Sequence, residues 1–196
     1  MDAKLKTVIS ALFVITLLIL TGCEKNGSDQ IVSPQNKSLG TKIQPDWIVL
    51  PAPYNKSMKK DISVSQLIDG SDESLLEINT GYAGGSFGWV SITANARFQR
   101  NSFSGQRLVS MSISDQFGTA TFSPSGTFTK PVIYNLTIIG LDLRNVDPST
   151  VTFVYAADDG TYYAAKYDKL YIDVKAGKLQ VINAQLPHFS RYAFAH

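Results

Sequence analysis

The chain is poor in the residues that most often carry chemistry. Its 196 residues include one cysteine and two histidines. One thiol cannot close an internal disulfide, even in a compartment that would permit one. A zinc site of the usual kind needs four clustered ligands, and these three residues do not supply them. Charge is sparse: 17% of residues are charged and the formal net charge is +2. No basic stripe or acidic tail runs along the sequence, so nothing electrostatic draws it to nucleic acid. The spacing G-x-S-x-G occurs at Gly84–Gly88, but inside a glycine-rich tract between strands and not at the strand-to-helix turn that a nucleophile elbow needs, and "SPSG" at Ser123–Gly126 lacks the first glycine. "GYAGGSFG", Gly81–Gly88, is a glycine tract between strands, not a phosphate cradle ahead of a helix. No amphipathic helix of useful length stands out; "SVSQLIDGSDESLLEI" is the one candidate, and Gly70 breaks it. No cofactor is expected.

The clearest positive signal is at the start. Lys4 and Lys6 precede an apolar run, Val8–Leu20, followed by "LTGC". A short positive region, an apolar core and small residues at a cleavage point form a secretory signal. The run is shorter than the roughly 20 residues a bilayer crossing needs. "LTGC" resembles the bacterial lipobox. That resemblance implies cleavage before Cys23, with acyl chains on its sulfur and amine. At about 0.8 kcal/mol per buried methylene, several chains hold a protein firmly to a membrane. The residue after the cysteine is Glu24, not the aspartate that retains enteric lipoproteins at the inner membrane, so the outer membrane is the favoured address in the cell envelope. Cleavage would remove Asp2, Lys4 and Lys6 and leave a formal charge of +1.

Three regions follow: a signal peptide over 1–22, a lipid anchor and flexible linker over 23–59, and one domain over 60–196. Glu24 to about Gly40 is polar and rich in Gly, Ser and Asn, too poor in apolar surface to offset ordering, and reads as a tether. "PDWIVLPAPYNKSMKK", from Pro45, reads either as a semi-extended segment docked on the domain, with Trp47 covering an edge, or as more linker. From about Asp61 apolar and polar residues alternate. Val90, Ile92, Ala94, Ala96 and Phe98 share one face, as do Val109, Met111 and Ile113, and Val132, Tyr134, Leu136 and Ile138. Val151, Phe153 and Tyr155 form a further strand. "DDG" at Asp158–Gly160 and "KAGK" around Gly177 read as hairpin turns. "KLQVINA" and "HFSRYAFA" read as strands, the latter closing the chain. Strands of this length with turns every ~8–12 residues predict an all-β, antiparallel sandwich or barrel.

"TFSPSGTFTKPVIYNL", Thr121–Leu136, resembles the P-x-G-x-x-F-x-K-P-V signature of the ZU-type domain, shared by zonula occludens proteins, netrin receptors and ankyrins. The matching residues are Pro124, Gly126, Phe128, Lys130, Pro131 and Val132, with one residue fewer between the glycine and the phenylalanine. Here "SPSG" is expected to turn, Phe128 to plug the core, and Pro131 to open a strand where no ladder donor is needed. The stretch from Leu141, and the ending "LPHFSRYAF" with His188, Phe189, Ser190 and Tyr192, resembles bacterial lipoproteins carrying such domains. The resemblance implies a β-sandwich that makes protein contacts and brings no catalytic residues.

His188 and Ser190 could suggest a hydrolase, but two residues apart on a strand without a nucleophile turn they read as structural. "DGSDE", Asp69–Glu73, and "DDG" contain oxygens that could hold calcium, yet neither matches a calcium loop, and turn formation explains them better. Tyr162, Tyr163, Tyr167 and Tyr171 gather around one hairpin region. Those left exposed could stack on sugars or grip a protein, although core and edge-covering roles are expected for most, and also for Phe87 and Trp89 beside the glycine tract. The expected function is a noncatalytic protein-interaction module anchored in the envelope. The alternative is a carbohydrate- or surface-layer-binding module that uses exposed aromatics.

Overall fold

A computed structural model describes residues 29–32, 45–55, 62–157 and 159–196. The alternating stretches become strands, and every strand pair is antiparallel. In chain order they are β1 (Asp29–Val32), β2 (Ile62–Asp69), β3 (Ser74–Ala83), β4 (Trp89–Phe98), β5 (Gln106–Ile113), β6 (Thr119–Ile139), β7 (Thr152–Ala156), β8 (Tyr162–Ala164), β9 (Lys169–Asp173) and β10 (Lys178–Ala195). Among the described residues no helix is long and apolar enough to cross a membrane.

Two strands organise the rest. β6 has 21 residues and β10 has 18, and they pair with each other while changing their outer neighbours midway. The C-terminal half of β6 pairs with β4, and its N-terminal end pairs with β5. β10 pairs first with β9 and then, over Arg191–Ala195, with β7. Two layers result: β1-β9-β10-β6-β4-β3, and β8-β7-β10-β6-β5-β2. The crossover coincides with register shifts at Val181/Ala184, Leu186/His188 and Phe189/Arg191. Bulges of this kind bend a strand, which lets one strand serve two layers.

The predicted inward faces of β4, β5 and the second half of β6 are all buried, from Val90 to Phe98, Val109 to Ile113 and Val132 to Ile138 at alternate positions. The layers meet through rings. Tyr134 of the first layer lies 5.3 Å from Phe122 and 6.2 Å from Phe153 of the second. Each large side chain so buried contributes about 1.5–3 kcal/mol, and together they make one continuous core.

Three features differ from the expectations. "SPSG" is not a turn: β6 runs through it, and Phe122–Ser125 bulge opposite Ser190 alone. A bulge suits Pro124, which has no N–H to offer a ladder. "KLQVINA" and "HFSRYAFA" are one strand, with Pro187 falling in a register shift. Of the two readings of the segment from Pro45, the docked one holds, with Ile48 and Leu50 buried in the core. Its backbone bonds to the domain, Ile48 N to Phe194 O at 3.3 Å, Leu50 N to Gln116 O at 2.9 Å, and Gly118 N to Ile48 O at 3.1 Å. Trp47 covers the second layer, its ring 5.1 Å from Tyr162. Within the stretch read as a tether, Asp29–Val32 pairs with β9. The signal segment, Cys23 and Glu24 lie outside the described residues, as does Asp158 of the "DDG" turn. The "KAGK" hairpin forms as expected. Gly177 has φ +60°, and a Cβ there would run into the Leu141 carbonyl.

Candidate functional site

The residues of the terminal motif assemble at the crossover, and each has a structural task. Phe189 stacks on Phe122 at 5.3 Å and meets the Phe128 ring edge-on at 4.6 Å. Phe128, half-buried, also packs on Phe98 and Phe103 and so closes the rim of the core. Gly126 pairs with Phe189 across the ladder. Lys130 Nζ donates to the Arg100 carbonyl at 2.9 Å. Pro131 lies where the β6–β10 register breaks, and its carbonyl accepts from Gln99 Nε2 at 2.8 Å.

His188 and Ser190 do not form a catalytic pair. The Ser190 hydroxyl donates to the Ala156 carbonyl. The His188 ring sits edge-on to Tyr155 at 4.9 Å, and its backbone carbonyl accepts the Tyr192 hydroxyl at 2.8 Å. Burial pushes the Tyr192 phenol well above its ordinary pKa, with the neighbouring Tyr155 adding to the shift. The second histidine, His196, is at the other end of β10's C-terminal half, its Nε2 3.9 Å from Asp46 Oδ2.

Asp69, Asp142 and Asp147 are each held by the residue two positions on. Asp69 accepts from the Ser71 backbone at 3.0 Å and the Ser71 hydroxyl at 2.7 Å, which lowers its pKa. Asp147 does the same with Ser149. Arg144 hydrogen bonds hold Asp142 down at about 2. Among the described residues no group of three or more His, Cys, Asp or Glu side chains gathers.

The four tyrosines do not make one patch. Tyr167 is buried, Tyr162 lies under Trp47, and Tyr163 stacks on Tyr155 at 5.3 Å. Tyr171 belongs to β9, in the other layer, on its outer face. That outer face is the most distinctive surface of the fold. Because Val90 points inward, Trp89 must point outward, and it is 56% exposed. Its indole does not project into solvent but lies across the neighbouring strand. A Cβ built on Gly81 would be 2.8–2.9 Å from the ring atoms Cζ2, Nε1 and Cε2. Gly81, lacking a Cβ, therefore lets the ring approach the neighbouring strand in a diagonal cross-strand contact. Phe87, 47% exposed, folds over the β9–β10 hairpin at Gly177. Ile139, 41% exposed, is on the rung between them.

The neighbouring rungs are polar. One runs across five strands as Asn79, Thr93, Thr137, Gln180 and Tyr171. Beyond it Asn135 donates to Asn95 Oδ1 at 2.9 Å and accepts from the Asn183 backbone at 2.9 Å, so that row is satisfied internally. At the far side a hollow of about 300 Å³ is lined by Tyr171, Ile172, Asp173, Lys178, Gln180 and Ile182. The arrangement can bind and orient; it brings together an exposed indole and uncharged hydrogen-bonding groups.

Comparison with protein-family models, with curated proteins and with solved structures finds no match for the chain. The fold is that of an all-β antiparallel sandwich whose two layers share their two central strands.

Proposed function

We propose that the protein is a lipid-anchored, noncatalytic binding module of the cell envelope: a ZU-type sandwich acylated at Cys23, held at the outer membrane, that recognises an envelope macromolecule. The observation that carries the binding half is the outer face of the first layer. Its largest aromatic, Trp89, packs against Gly81 and remains more than half exposed. The second layer contrasts with this, because Trp47 of the chain itself lies against Tyr162 there. The use of Ser190 and His188 in backbone and ring contacts supports the noncatalytic half. The lipobox "LTGC" supports the anchor.

Two measurements test the reading. In cells given an alkyne-labelled palmitate, the wild-type protein should take up label and sediment with membranes, while Cys23→Ala should stay unlabelled. Label retained in Cys23→Ala refutes the anchor. Detergent-solubilised protein should also bind isolated envelope material through Trp89, and equal binding by wild type and Trp89→Ala refutes the binding face.

A further inference from the structure

We propose that the ligand of this face is a neutral glycan chain, laid across the outer face of the first layer and stacked on Trp89. The inference rests on the reading of the domain as a binding module and names the class of its ligand.

Three observations carry it. The first is the exposed indole. Trp89 packs against Gly81 on the outer face and is still 56% exposed, so a large aromatic surface is held at the sheet and open to a ligand. A pyranose offers a matching surface in its axial C–H groups, and their contact with an aromatic face needs no loop rearrangement. Aromatic side chains provide large contact area at low entropic cost, the more so when already held in place.

The second is the chemistry of the adjacent rung. Asn79, Thr93, Thr137, Gln180 and Tyr171 carry amide and hydroxyl groups, both donors and acceptors, and no ionic charge. Among the described residues none of the four amide and aliphatic hydroxyl side chains is tied into a hydrogen bond, unlike Asn95 and Asn135 one rung further on. Vicinal sugar hydroxyls each donate and accept, and such a row complements them. An anionic polymer would want a lysine or arginine row, and a basic peptide a carboxylate row. Here the charges flanking the rung are of both signs, Asp173 opposite Lys178 on one side and Glu77 and Arg97 on the other, so no row of a single sign forms.

The third is extent. Four inter-strand gaps of about 4.8 Å separate Asn79 from Tyr171, a span of roughly 19 Å. The hollow of about 300 Å³ beside Tyr171 and Gln180 continues the face at its far end. Such a surface fits several linked sugars rather than one, with Trp89 at one corner and Tyr171 at the other.

The experiment is affinity electrophoresis of the detergent-solubilised full-length protein. The gels contain a soluble β-glucan, xylan, glucomannan or α-glucan, with alginate as an anionic probe. At least one neutral polysaccharide should retard the wild-type protein. Trp89→Ala should weaken that binding about tenfold or more, Asn79→Ala and Gln180→Ala should weaken it less, and Tyr163→Ala, on the other layer, should leave it unchanged. Circular dichroism of each variant verifies the fold, and partial recovery in Trp89→Phe separates stacking from misfolding. Retardation by alginate alone overturns the neutral-glycan inference. So does capture of an envelope protein through Trp89 with no retardation by any neutral polysaccharide, although the binding-module reading would then stand. Failure to bind either material refutes both.

Discussion

Removing the same hydroxyl from two buried tyrosines should move stability in opposite directions. Tyr134 and Tyr192 are both fully buried core residues. The Tyr192 hydroxyl donates to the His188 carbonyl at 2.8 Å. The Tyr134 hydroxyl finds no hydrogen-bond partner among the described residues. A satisfied hydrogen bond contributes about 0.5–1.5 kcal/mol net, and a buried unpaired polar group costs about 1–3 kcal/mol. Tyr134→Phe keeps the ring contacts to Phe122 and Phe153 and removes only the unpaired oxygen. It should therefore stabilise the domain by about 1 kcal/mol or more. Tyr192→Phe keeps its ring contacts to Phe153 and Phe122, loses the bond, and should destabilise by about 1 kcal/mol. At about 2–4 °C per kcal/mol for a domain of this size, the two Tm values should differ by roughly 4–8 °C. Guanidinium unfolding with unchanged m-values would report the same difference in midpoint. If Tyr134→Phe destabilises as much as Tyr192→Phe, the Tyr134 hydroxyl is satisfied and the accounting of this core is wrong.

The same phenols set an alkaline limit. Burial raises the pKa of both Tyr134 and Tyr192 in the folded state, while an unfolded phenol titrates near 10. Below pH 10 both states hold these protons and the two phenols add no pH dependence; above it the unfolded chain releases protons that the fold retains, so stability falls as pH rises. Absorbance at 295 nm should show delayed ionisation that is released on unfolding, and complete titration near pH 10 in the folded protein would contradict it. The docked segment from Pro45 should be part of the cooperative unit: Ile48→Ala and Leu50→Ala should each cost about 2–5 kcal/mol in denaturant titrations, and losses under 1 kcal/mol would mean that the segment is only laid against the surface.

The core was legible in the sequence because alternation is a local property. The run from Val90 to Phe98 names its own inward face, and the buried set matches it residue by residue. The same pattern held the key to the candidate site, since an inward Val90 obliges Trp89 to face outward, yet its position beside a glycine tract drew attention to the loop instead. The polar rung from Asn79 to Tyr171 had no such signal. It depends on the register of five strands, and register between distant strands is set by packing that no local pattern encodes. The shared strands were hidden for a related reason. Pro124 and Pro187 look like interruptions in a sequence, but each falls at a break in the β6–β10 register, where a missing N–H costs the ladder nothing. The tyrosines misled by proximity in sequence, which the β8–β9 connection turns into separation across two layers.

The most direct test of the binding face is hydroxyl-radical footprinting of the solubilised protein with and without the envelope saccharide that it binds. Trp89 and Tyr171 should lose reactivity in the complex, while Tyr163, exposed on the other layer, should keep its own. Protection at Tyr163 and the neighbouring His188, with Trp89 as reactive as in the free protein, would place recognition on the other layer and contradict the account.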